Sequence, residues 1–253
     1  MNQRLSTPSV WELARQVLSS TRVGYDLLAP KFEATLYATP QSYIERALER
    51  VESLYPIIRE SEEIRGLDLA CGTGRGVRAL RRYCDSVEGV DFSSAMLQEA
   101  KTLSGGLDKL SWHLGELSAL ELSSESYDRV VTFGAWGHIL PNFRNRLLRQ
   151  IVSSLKMGGV FVTLTATAPS WRERRYWYSL VFDNLIRLRN AFWFHEFHMY
   201  YGLNHSRDLE AAFRTCCEEL LGSEGFVLTT EPFGEGGPEA LSILTLRRGP
   251  SVE

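Results

Sequence analysis

Leu67-Asp68-Leu69-Ala70-Cys71-Gly72-Thr73-Gly74-Arg75-Gly76 reads as an apolar lead-in carrying one acid, then a glycine-rich turn. A helical run from Val77 to Tyr83 follows. Strand, glycine loop and helix in that order open a nucleotide-binding α/β unit. Glycines suit the turn because the backbone must bend sharply and admit a ligand where a Cβ would stand in the way. The helix start then offers N–H groups and a partial positive charge to whatever binds.

A dinucleotide fingerprint, G-x-G-x-x-G, would need its third glycine at position 77, which is Val77. What remains is an acid, a short gap and Gly72-x-Gly74-x-Gly76. Asp68 puts a carboxylate within reach of the loop, which suits a cation and disfavours a pyrophosphate. S-adenosyl-L-methionine carries an ammonium and a sulfonium and no phosphate. The stretch resembles the first motif of the class I S-adenosylmethionine-dependent methyltransferases, small-molecule type. The usual first glycine of that motif is Ala70 here, which a negative φ would tolerate.

Further motifs follow in the family's order. Residues 86–91 form a second short strand ending in Asp91, about 20 residues after the loop, where a ribose-binding acid is expected. A carboxylate has two acceptor oxygens and can take both ribose hydroxyls. The alternative is that Asp91 only caps the next helix. Phe92 and Met96 offer apolar faces for an adenine ring, and residues 92–97 resemble the family's second motif. Strand three covers 110–117, with Glu116 in the place of the acid that holds the adenine amino group in the family. Leu117 and Phe133 complete the cofactor-contacting set the resemblance implies, beside Asp68, Ala70, Gly72 and Gly74.

Strand four, 127–134, runs into Ala135-Trp136-Gly137-His138. The Asn/Asp-Pro-Pro-aromatic turn of base and amide N-methyltransferases is missing there, as is the Pro-Cys nucleophile of pyrimidine C5 enzymes. His138 is the candidate general base, because a neutral imidazole can take a proton from an acceptor as the methyl moves. A packing role is the alternative. A helix over 142–155 and the turn Lys156-Met157-Gly158-Gly159 lead into strand five, 160–166, with the two glycines offered as a left-handed helix cap.

Residues 1–60 read as an N-terminal helical cap, with amphipathic pieces at 11–18 and 42–54. Between them Tyr25-Asp26 to Phe32 resembles a family stretch that covers the cofactor, so Tyr25 either touches it or packs the cap. Residues 61–253 form the methyltransferase domain, with a helical lid inserted at about 168–203. The lid's aromatic residues could line an acceptor pocket or merely fasten the lid to the core. Its arginines (Arg172, Arg174, Arg175, Arg187 and Arg189) are a solvated face or a contact for an anion or a membrane interface. His195-Glu196-Phe197-His198 is one residue short of the H-E-x-x-H zinc helix, and no metal is expected. A helix over 206–221, capped by Asn204 or Ser206, precedes two closing strands joined by a glycine-rich link at 234–237.

The 253 residues are 44% hydrophobic and 23% charged, with a formal net charge of −3, so no global basic field argues for nucleic acid. Nothing resembles a signal peptide or a membrane span, and the four cysteines lack metal or redox spacing. A cytoplasmic setting fits. The expected fold is a doubly wound, seven-stranded, mostly parallel sheet with an antiparallel strand at the edge. The expected chemistry is methyl transfer from S-adenosyl-L-methionine, yielding S-adenosyl-L-homocysteine, to a small aromatic or lipophilic acceptor. An RNA or protein methyltransferase, or a non-catalytic cofactor-binding module, stands as the alternative.

Overall fold

A computed structural model describes residues 7–35, 38–57, 63–193, 196–233 and 241–249. His195 and the link at 234–237 lie outside them. Seven strands form one sheet in the order β3-β2-β1-β4-β5-β7-β6. They are β1 Arg65–Leu69, β2 Ser86–Asp91, β3 Leu110–Leu114, β4 Tyr127–Thr132, β5 Leu155–Ala166, β6 Phe226–Pro232 and β7 Leu241–Arg248. The first five pair in parallel, and β7 runs antiparallel to both β5 and β6. The reversed strand takes the inner place of the edge hairpin, and β6 forms the rim.

Alternation along the strands sorts the core into two layers. Leu67, Leu69, Val130 and Phe161 face α6 (Pro141–Ser154) and α8 (Ser206–Leu221), packing on Leu148, Ile151 and Phe213. Val131, Val160 and Val162 face the other way, toward α3 (Gln41–Leu54), α4 (Arg75–Leu80) and α5 (Ser94–Leu103). Ile44, Ala47, Leu48 and Val51 of α3 are all buried in that second layer. Helix α3 is thus part of the α/β body, which leaves α1 (Val10–Leu18), α2 (Thr21–Leu28) and the 3-10 turn Ala29–Ala34 as the N-terminal cap among the described residues, outside both layers.

Three local expectations are corrected. Ala70 has φ +57°, not the negative value assumed for it, so this alanine takes the left-handed conformation that the family's glycine would take freely. Residues 156–159, expected as a turn between helix and strand, belong to β5, which starts at Leu155. Gly158 (φ +77°) sits where the β4–β5 register shifts, so it serves a bulge and not a helix cap. The residue before α8 is His205, with no side-chain cap from Asn204 or Ser206.

Candidate active site

One cavity of about 600 Å3 opens at the carboxyl ends of β1, β2 and β4, beside the point where strand order reverses between β1 and β4. Ligands of open α/β sheets bind at such switch points. Tyr25, Asp68, Ala70, Gly72, Asp91, Phe92, Met96, Glu116, Leu117, Phe133 and His138 all line it.

Gly74 does not. It precedes α4 with φ +82°, and a Cβ there would lie 2.8 Å from Cη2 of Trp112. Its role is to let the loop close against β3, not to admit a ligand. Gly72 is the open one, with φ +51° and only the Phe32 ring, 3.8 Å away, near its Cβ position.

Asp68 alternates with Leu67 and Leu69 and so points under the start of α4. Its carboxyl is 2% exposed and accepts the Val77 N–H. A Cβ on Gly76 would come within 2.3 Å of Asp68 Oδ2, so the third loop glycine exists to seat this acid. Burial pushes the Asp68 carboxyl well up, and the neighbouring Asp91 charge adds to the rise. Asp91 accepts N–H groups from Gly72 and Ser93, each at 2.9 Å. Burial still lifts it to about 6, against those hydrogen bonds.

Two acids of the cap pin it to the glycine loop and to α5. Asp26 takes the Ser93 hydroxyl at 2.5 Å and the Ala95 N–H at 3.3 Å, at the start of α5. Glu33 takes Thr73 Oγ1 at 2.9 Å and Arg78 at 2.7 Å, and Arg75 donates to it at 3.4 Å. These bonds hold Tyr25 over the cavity with its ring against Phe32 and Phe92. On the far side, Arg22 pairs with Glu116, whose carboxylate is therefore already shared. No spacing rule in the sequence connects residues as distant as Glu33 and Arg78. These pins were legible only in three dimensions.

His138 sits where three segments meet. Trp136, fully buried, donates to Thr163 Oγ1 at 2.9 Å and anchors the β4 loop. The His138 ring then lies between cap and lid, with Nδ1 donating to the His198 carbonyl and Nε2 2.8 Å from the Tyr25 hydroxyl. Donation from Nδ1 leaves Nε2 as the acceptor of the Tyr25 proton. Burial lowers the imidazole pKa, partly offset by the His198 carbonyl, which keeps the ring neutral. Beyond His138 the wall is apolar, formed by Phe133, Ile139, Leu140, Phe143 and Leu147. Of the described lid residues Glu196 and His198 reach the cavity, and the aromatic residues of 171–193 do not line it.

The donor set fits S-adenosyl-L-methionine. Two buried carboxylates and an open glycine face one end. The arginines that line the cavity, Arg22 and Arg75, are paired with Glu116 and Glu33, which leaves a phosphate little to bind.

Fold and site together define a cofactor-binding domain of the methyltransferase kind, and comparison with known proteins agrees. Residues 67–159 match the family model of a methyltransferase domain. That stretch of the chain, from β1 to the start of β5, therefore carries the sequence pattern of a methyltransferase domain. It is 30% identical over 122 residues to a demethylmenaquinone methyltransferase of Staphylococcus aureus strain MRSA252, a match covering 47% of this chain and 50% of that protein. The chain thus spans about half the length of the curated relatives it matches. The DhpI–SAH complex superposes with a TM-score of 0.61 at 20% identity, over 96% of this chain and 100% of the other. Human N-acetylserotonin methyltransferase in complex with SAM gives 0.58 at 13% identity, over 90% of this chain and 56% of the other. At these identities the structural likeness concerns the fold.

Proposed function

We propose that this chain transfers a methyl group from S-adenosyl-L-methionine to a small lipophilic acceptor carrying a hydroxyl or an acidic carbon. The observation that carries the reading is the division of one cavity into an acidic, glycine-walled end and an apolar end, with Tyr25 and His138 at the junction. When bound, the cofactor would supply an electrophilic methyl on sulfonium, open to in-line attack by the acceptor's electron pair, with the S–CH3 bond breaking and S-adenosyl-L-homocysteine leaving as the thioether. Asp68 would hold the methionine ammonium, Asp91 the ribose hydroxyls, and Phe92 and Met96 the adenine faces. Glu116 reaches the adenine edge only by sharing its carboxylate with Arg22. The apolar wall orients the acceptor and excludes water.

The proton route differs from direct abstraction by His138. With Nε2 already facing Tyr25 Oη, an acceptor proton passes to Tyr25 as the phenol proton moves to His138. The relatives named demethylmenaquinone methyltransferase, by that name, act on demethylmenaquinone, which supports a small-molecule acceptor here.

The test is incubation with methyl-labelled S-adenosyl-L-methionine and three fractions of source-cell extract: organic-soluble metabolites, RNA and protein. Label is expected in the organic fraction. Label confined to RNA or protein would overturn the acceptor assignment, and cofactor binding without label anywhere would overturn the activity.

A further inference from the structure

Helix α7, Arg174–Phe192, is 19 residues long, yet only Ile186 on it is buried. Trp177, Val181, Leu185, Leu188 and Phe192 follow one another at intervals of four, four, three and four, which puts them on one helical stripe. They are 54%, 55%, 57%, 56% and 79% exposed, on the side away from Ile186. A core-facing role is thereby excluded for the stripe, since an apolar helix face normally packs inward.

The charges around it are one-sided. Residues 172–189 hold the five arginines named above against Glu173 and Asp183, in a chain of net charge −3. Asp183 is occupied by the Tyr201 and Gly202 N–H groups, and Glu173 by Arg175 and the Ser170 N–H. Arg174 and Arg187 are exposed. No described helix is long and apolar enough to cross a membrane. An apolar stripe with Trp and Phe, flanked by arginine, has the composition of a helix lying in a bilayer interface, apolar face down and cations among the headgroups.

We infer that α7 docks this protein onto an anionic lipid surface. The chain leaving α7 supplies Glu196 and His198 to the cavity wall, so docking there brings the cavity close to the bilayer. The inference stands on the exposed stripe and its charge complement, and needs no assumption about the acceptor.

Flotation with vesicles tests it without turnover. The full chain is expected to float with phosphatidylcholine vesicles holding about 30 mol% phosphatidylglycerol and to bind pure phosphatidylcholine at least about tenfold more weakly. Leu185→Glu with Leu188→Glu, and separately Arg174→Glu with Arg187→Glu, should each weaken flotation by about tenfold or more. Cofactor affinity should be unchanged in both, which shows that they fold. Failure of the wild type to float, or unaltered flotation of the leucine variant, would overturn the docking. So would a wild-type dimer that the leucine variant converts to a monomer without any vesicle binding, which would make the stripe an interface between two copies. Because the readout is lipid binding, a negative result leaves the methyl-transfer proposal standing, and the reverse.

Discussion

Asp91 is 4% exposed and ionises near pH 6 instead of the ordinary 3.8. Between those values the folded chain holds a proton that the unfolded chain has lost. Asp91 therefore makes stability fall as pH rises from about 4 to about 6. Asparagine removes that slope. Measured against its own value at pH 4, the Asp91→Asn melting temperature relative to wild type should rise through pH 6 and then level off, while cofactor affinity drops at every pH. A flat difference would mean that Asp91 is not the group titrating. At the junction, Tyr25 and His138 form one unit through the 2.8 Å contact. Tyr25→Phe and His138→Ala should each lower kcat about 100-fold, as loss of general base catalysis does, with little change in cofactor affinity. The double variant should lose little more, because residues acting as a unit are not additive. Losses that multiply would assign the two side chains separate roles.

Among the elements, the glycine loop shows what hydropathy can and cannot convey. The acid, the glycines and the apolar strands declare themselves through alternation and spacing. The sign of a φ angle does not, and Ala70 at φ +57° was missed for that reason. A left-handed alanine costs about 1–2 kcal/mol, part of which glycine returns as unfolded-chain entropy. Ala70→Gly should therefore raise stability by up to about 1 kcal/mol, and Ala70→Val, with its branched Cβ, should lower it by more than about 1 kcal/mol. Chemical denaturation at constant m-value reads both, and a more stable valine variant would contradict the left-handed assignment. The same limit applies to α7. Its aromatic content was visible in the sequence, but which way the stripe faces was not. An exposed amphipathic helix and a buried one differ only in what lies opposite, and that is set by the rest of the fold.

On the scale of the whole molecule, the site is a junction of parts rather than a property of the sheet. The sheet supplies Asp68 and Asp91, the β4 loop supplies His138, the lid holds His138 Nδ1 through the His198 carbonyl, and the cap brings Tyr25. Among the groups that hold the cap is Glu33, whose side chain is 15% exposed. Burial raises its carboxyl, but the Arg78 hydrogen bond and the Arg75 and Arg78 charges outweigh that and leave the pKa below 4.5. A depressed acid contributes stability above its unfolded pKa and loses it as pH falls through the folded value. Cap closure should thus be intact from about pH 5 upward and fail in acid. Glu33→Gln should reproduce the acid state at neutral pH, leaving two arginines without their anion at a cost of about 1–3 kcal/mol. That loss should fall on cofactor affinity and on proteolytic protection of residues 7–35 more than on unfolding of the sheet, whose two core layers include neither α1 nor α2. If Glu33→Gln binds the cofactor as tightly as wild type and its cap resists protease equally, the pin is incidental, and the α2 contacts, led by that of Asp26 with the start of α5, hold the roof without it.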